Sequence, residues 1–113
     1  IDEDGNYWFI DRIKNVIISG GENIYPAELE VLLSNNKDLV EYSIVGKHDV
    51  KWGEVPVIVA VKKNKSVTSD QILYLFNEKV AKYKIPKEVI FVNNIPKNAL
   101  GKIEIDKVKQ LVN

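Results

Sequence analysis

The 113-residue chain contains no cysteine, no methionine and a single histidine. Without cysteine it has no disulfide, no thiolate nucleophile and no thiolate metal site. His48 holds a metal only with several carboxylates gathered round it, so no metal site is expected. A predominant charge is also missing, because sixteen lysines and arginines balance sixteen aspartates and glutamates. No net field draws the chain to nucleic acid or to an anionic membrane, and neither is expected as a partner. No apolar run approaches the length of a membrane span and no signal peptide opens the chain, so a cytosolic location is the default expectation. The opening Ile1-Asp2-Glu3-Asp4-Gly5, in a chain without methionine, reads as a piece that begins inside a connection. The length suits one domain with a core of its own.

What is present mixes strand and helix patterns. Asp4-Gly5 is a turn signal, and Tyr7-Trp8-Phe9-Ile10 reads as a strand joined through residues 11–15 to a second short strand, Val16-Ile17-Ile18. Ser19-Gly20-Gly21 breaks this pattern and reads as a tight connection from strand to helix. Pro26 suits the first helical position, and Glu28 and Glu30 favour the positive helix end. Leu29, Leu32 and Leu33 give that helix an apolar face ending near Asn35-Asn36.

Residues 40–45 predict a strand and residues 46–53 a polar loop containing Trp52. The β-branched run over residues 55–61 predicts a strand buried on both faces. Thr68 or Ser69 caps a helix expected over residues 69–82, with Ile72, Leu75, Phe76 and Val80 on one face. Pro86 marks a connection, residues 89–92 a strand, residues 93–101 a loop and residues 103–112 a short terminal helix. The expected fold class is α+β, a small mixed sheet flanked by helices with an N-terminal β-hairpin.

Two segments carry chemistry. The first is Asp11-Arg12-Ile13-Lys14-Asn15-Val16-Ile17-Ile18-Ser19-Gly20-Gly21-Glu22-Asn23-Ile24-Tyr25-Pro26-Ala27-Glu28-Leu29-Glu30. Adjacent glycines permit positive φ and let a ligand approach bare backbone. The segment lacks both the dinucleotide spacing and the GK[ST] of a phosphate loop, which excludes those readings. The second is Ile95-Pro96-Lys97-Asn98-Ala99-Leu100-Gly101-Lys102-Ile103. On local grounds alone, Arg12 is a surface ion-pair partner of Asp11 or Asp4, Trp52 covers a sheet edge, and Lys102 is a solvated charge.

Together, in this order and about eighty residues apart, the two segments resemble the C-terminal domain of adenylate-forming enzymes, specifically the acyl-CoA synthetases. The resemblance spans nearly the whole chain. It implies that residues 1–113 are the mobile C-terminal domain of a longer protein, partnered by an N-terminal large domain of the same chain, with residues 11–15 as the interdomain hinge. The implied activity is that of an AMP-forming acid–CoA ligase. Such an enzyme converts a carboxylic acid, ATP and Mg²⁺ into an acyl-adenylate and then transfers the acyl group to CoA.

By the same resemblance, Lys14 is the hinge residue and Arg12 meets the nucleotide. Gly20 and Gly21 line the tunnel for the pantetheine arm of CoA, with Glu22 and Asn23 orienting that loop. Lys102 is the catalytic lysine, bridging the carboxylate substrate and the α-phosphate of ATP, while Lys97 is a solvated loop charge. Trp52 faces the adenine of CoA, and Tyr83 and Lys87 share that surface, contacting adenine and phosphate. Ile85 stands where some relatives have arginine. The magnesium ligands, most ATP contacts and the acyl pocket fall to the large domain, so the isolated chain is expected to be inactive. Aliphatic, aromatic and succinylbenzoyl-type acids all fit. Two alternatives keep the fold: an adenylation domain loading the phosphopantetheine of a carrier protein, and a non-catalytic binding module.

Overall fold

The computed structural model describes residues 16–34 and 36–113. In chain order the elements are β1 (Ile17–Ser19), β2 (Glu22–Ile24), α1 (Pro26–Glu30), β3 (Leu39–Asp49), β4 (Gly53–Lys62), α2 (Ser69–Tyr74), β5 (Val89–Phe91) and α3 (Ile105–Val112). Strand β4 organises them. On one edge it pairs antiparallel with β3, from Glu41↔Val61 to Asp49↔Gly53. Its other edge is shared: β1 meets it antiparallel at Ser19↔Gly53, and β5 runs parallel to it over Ile58↔Val89 to Ala60↔Phe91. The sheet is therefore mixed, with helices on both faces. The expected first strand over residues 7–10 and the connection over 11–15 lie outside the described residues.

The strand period explains the two cores. Ile58 and Ala60 point to one face, where they pack with Ile44, Leu29, Ile72 and Phe76 beneath α1 and α2. Val57 and Val59 point to the other, packing with Val45, Ile95, Val108 and Val112 beneath α3. Ile or Leu fully buried at such positions contributes about 1.5–3 kcal/mol each. Residues 55–60 are all buried, as the β-branched run implies.

Four elements depart from expectation. Gly20-Gly21 does not join a strand to a helix. It is the two-residue loop of a β1–β2 hairpin, with Ser19 opposite Glu22. Both glycines have positive φ, +59° and +85°, as a type I′ turn demands. Strand β3 continues through residues 46–49 before a short turn at Val50-Lys51-Trp52, where the Asp49 carboxylate accepts the N–H groups of Lys51 and Trp52 at 2.8 and 2.9 Å. Helix α1 tightens into a 3₁₀ turn, Val31–Leu33. Helix α2 starts as expected, with Thr68 and Gln71 forming a reciprocal capping box, but stops at Tyr74. Beyond it the chain continues in three-residue hydrogen-bonded turns, Phe76 N–H to Leu73 C=O and Asn77 N–H to Tyr74 C=O, which still bury Phe76.

Glu30 is more than a helix-start charge. It ends α1 and turns its carboxylate to β3, where Oε2 accepts the Ile44 N–H at 3.1 Å. Burial pushes its pKa above the usual carboxylate value, with the Ile44 hydrogen bond opposing. A raised folded pKa stabilises fully below the unfolded value and is lost as pH rises through the folded value, so ionised Glu30 is a cost at neutral pH. Glu30→Gln keeps an oxygen for Ile44 and is expected to raise the thermal midpoint at pH 7 by about 2–4 °C, a sub-kcal/mol change in a domain of this length. The gain should vanish below about pH 4.5. A gain of the same size at both pH values in thermal melts would exclude burial as its cause.

Candidate functional site

The β1–β2 turn and the β3–β4 turn are brought together at the Gly53 end of β4. The Gly20 N–H donates to the Trp52 carbonyl at 2.9 Å. A Cβ placed on Gly20 would lie 2.8 Å from Trp52 Cε3, so the indole rests directly on bare backbone. Gly21 has no described atom within 4 Å of such a Cβ. Glu22 is exposed beside it on β2. Trp52 remains 46% exposed and also walls an open groove of about 360 Å³.

Lys47, His48, Lys87 and Glu88 line the same groove over a floor of Val55 and Val57. Lys47 Nζ pairs with Glu88 Oε1 at 2.9 Å, and the Lys87 N–H is fixed by the Pro56 carbonyl at 2.8 Å. Trp52 and Lys87 thus line one groove, with Gly20 against the indole; the other charged lining residues are Asp49 and the paired Lys47 and Glu88. Such a surface suits a purine bearing phosphate. Tyr83 stands on the Lys82–Lys84 turn, half-exposed, with Lys84 Nζ 5.9 Å from its ring centroid. It does not line the groove. Lys47, His48 and Glu88 carry no local sequence signal for this role; only the β3–β4 register and the β5 crossover gather them.

The second segment forms a closed hairpin organised by Asn98. Its Oδ1 accepts the N–H groups of Leu100 and Lys102 at 2.9 and 3.1 Å, and its own N–H donates to the Lys102 carbonyl at 2.8 Å. Lys97 pairs across the loop with Ile103 in an antiparallel bridge, and Gly101 makes the return at φ +84°. Lys102 is exposed near the tip. Lys97 is not the solvated loop charge that its sequence context suggests, since it forms an ion pair with Glu41 of β3. The Lys97 hydrogen bond in particular holds the Glu41 carboxyl below its usual pKa, assisted by the N–H of Ile95.

The two sites are far apart. The Gly20–Trp52 contact lies at Gly53, while Glu41 and the root of the lysine loop lie opposite Val61. From Gly53 to Val61 an antiparallel strand advances about 27 Å at ~3.4 Å per residue. Helix α3 spans part of that distance: its start follows the loop, and its last residue, Asn113, accepts the His48 N–H at 2.8 Å. Arg12 and Lys14 lie outside the described residues. Among the described residues, no helix is long and apolar enough to cross a membrane.

Comparison with known proteins points the same way. The chain is 46% identical over 112 residues to indoleacetate–CoA ligase of Aromatoleum aromaticum, matching 98% of this chain and 22% of that protein. It is 44% identical over 112 residues to 2-succinylbenzoate–CoA ligase of Bacillus cereus, matching 99% and 23%. The chain therefore spans less than a quarter of the length of these relatives. Among solved structures, a fatty acyl CoA synthetase of Mycobacterium tuberculosis superposes with a TM-score of 0.82 at 39% identity, over 88% of this chain and 20% of that one. Residues 28–102 match the model of the AMP-binding enzyme C-terminal domain, and the chain belongs to that family.

Proposed function

We propose that this chain is the mobile C-terminal domain of an AMP-forming acid–CoA ligase and that its two ends serve successive half-reactions. In the first, a carboxylate oxygen attacks the α-phosphorus of ATP, and pyrophosphate leaves with the electron pair of the broken P–O bond. Two anions meet in this step, and the Lys102 ammonium offsets their repulsion as charge spreads over the phosphoryl oxygens. When bound, Mg²⁺ supplies further charge neutralisation at the phosphates, and its ligands are assigned to the large domain.

In the second half-reaction the sulfur of CoA attacks the acyl carbon, the C–O bond to AMP breaks, and the thiol proton passes to solvent. The Gly20–Gly21 turn gives the pantetheine arm a path along bare backbone, while Trp52 and Lys87 hold the nucleotide end. Arg12 contacts ATP in the first step, and Lys14 is the pivot between the two. Tyr83 and Glu22 are assigned to the rim of the CoA path. A cytosolic setting belongs to the same reading.

The observation that carries this proposal is that the Gly20–Trp52 contact lies at the Gly53 end of β4, while the root of the lysine loop is gripped by Glu41, opposite Val61 and about 27 Å further along that strand. This placement supports a reading in which the domain turns about residues 11–15 to present each end to the acyl-adenylate in turn. The test is product analysis with the full-length protein, ATP, Mg²⁺ and a panel of acids that includes indoleacetate and 2-succinylbenzoate. The expected products are AMP, pyrophosphate and a thioester of free CoA. Formation of ADP would sink the proposal. Thioester formed only on a phosphopantetheinyl carrier protein would move the acceptor to that alternative.

A further inference from the structure

Glu41 has no assigned part in this chemistry, yet it grips the root of the lysine loop twice. Its Oε2 accepts the Ile95 N–H at 3.1 Å, and its Oε1 faces the Lys97 ammonium in an ion pair. Lys97 Nζ also lies 3.4 Å from the Ile95 carbonyl, which closes a small ring of polar contacts. The Glu41 side chain is 20% exposed and that of Lys97 36%, so the pair lies at the surface and its hold on the loop comes from the two contacts together.

We propose that Glu41 is a positioning residue for Lys102. The mechanical connection is short: Glu41 holds Lys97, Lys97 is bridged to Ile103, and Ile103 directly follows Lys102. Glu41 itself sits on β3, paired with β4 at Val61 just inside a register irregularity between Leu39 and Glu41, and the ladder runs unbroken from there to Asp49↔Gly53. The loop beyond Lys97 is exposed through residues 98–102 and gains its bearing from this root. A lysine must meet the reacting phosphoryl group within a fraction of an ångström, so an error at the root is transmitted to the chemistry. The same error leaves the Gly20–Trp52 end untouched, about 27 Å along the hairpin. The inference rests on the proposed role of Lys102 and adds a residue that the sequence motifs do not contain.

The test uses the full-length protein and measures the two half-reactions separately. Glu41→Gln keeps an oxygen for Ile95 but removes the charge that holds Lys97. Its kcat for acyl-adenylate formation is expected to fall about tenfold, less than the ~10² of a 1 Å misplacement because one of the two contacts survives. KM for ATP and for the acid should stay within about twofold, as should thioester formation from supplied acyl-adenylate and CoA. Lys97→Gln, which leaves the Glu41–Ile95 bond in place, should show the same selective fall, and the double variant should fall no further.

Normal adenylation in both single variants overturns the proposal, and so does an equal fall in both half-reactions. If Glu41→Gln does not fold, Lys97→Gln decides by the same criteria. Lys102→Ala in the same assay separates the two levels of inference. Adenylation lost there but normal in Glu41→Gln and Lys97→Gln removes the positioning role alone. Adenylation retained in Lys102→Ala removes the proposed function on which that role rests.

Discussion

Lys102→Ala in the full-length protein is expected to slow acyl-adenylate formation by about 10²–10³ while largely sparing thioester formation from supplied acyl-adenylate and CoA. The magnitude follows from the charge that develops as a carboxylate meets a triphosphate. A donor aimed at that charge in a site that excludes water lowers the barrier by about 2.7–4 kcal/mol. The loss should appear in kcat more than in KM, because the ammonium matters most where charge is greatest. Lys102→Arg retains the charge but spreads it over a wider planar group, and partial recovery is expected. The selectivity between half-reactions is the decisive reading. Equal loss in both would indicate impaired folding or docking, and full activity in both would remove Lys102 from the mechanism.

Legibility in the sequence followed the range of the interactions. The residue 55–61 run declares a central strand because both faces of β4 are buried and no polar position interrupts it. Pro26 and Thr68 declare helix starts because both signals are local: proline presets φ for the first helical position, and the Thr68 side chain accepts the Gln71 N–H three residues on. The Gly20-Gly21 hairpin was harder to read, since Glu22-Asn23-Ile24 has little strand propensity and pairs only because β1 offers it an edge. The end of α2 was hidden because Ile72, Phe76 and Val80 keep a helical spacing in sequence, although the chain leaves the helix in three-residue turns and takes a left-handed φ of +60° at Glu78.

The site divides the same way. Lys102, Gly20 and Gly21 lie inside contiguous strings and can be read as motifs. The Glu41–Lys97 pair and the Gly20–Trp52 contact join residues far apart in sequence, the first between β3 and the loop after β5, the second between the β1–β2 and β3–β4 turns. No local pattern encodes either. Bringing the chain after β5 back over β3 creates the first contact, and laying the β1–β2 turn against the β3–β4 turn creates the second.

The Gly20–Trp52 contact yields the other large expected effect. Gly20→Ala should slow thioester formation by about 10–100-fold, the scale of an ångström-sized displacement at a reacting group, with adenylation nearly unchanged. Two costs combine at this position. At φ +59° an alanine incurs about 1–2 kcal/mol of left-handed strain. Its Cβ also arrives 2.8 Å from Trp52 Cε3, so the indole must move, and with it the wall of the groove assigned to CoA.

Gly21→Ala separates these costs, because φ is +85° there but no described atom lies within 4 Å of the new methyl group. Gly21→Ala should therefore lower the thermal midpoint through strain and leave thioester formation closer to normal. In a Trp52→Ala background the obstructing ring is gone, and the destabilisation by Gly20→Ala should shrink to that of Gly21→Ala. Equal slowing of thioester formation by both glycine substitutions would assign the effect to the turn backbone. A defect specific to Gly20 would assign it to the indole, and the face of Trp52 that rests on Gly20 would then be what shapes the path of the CoA arm.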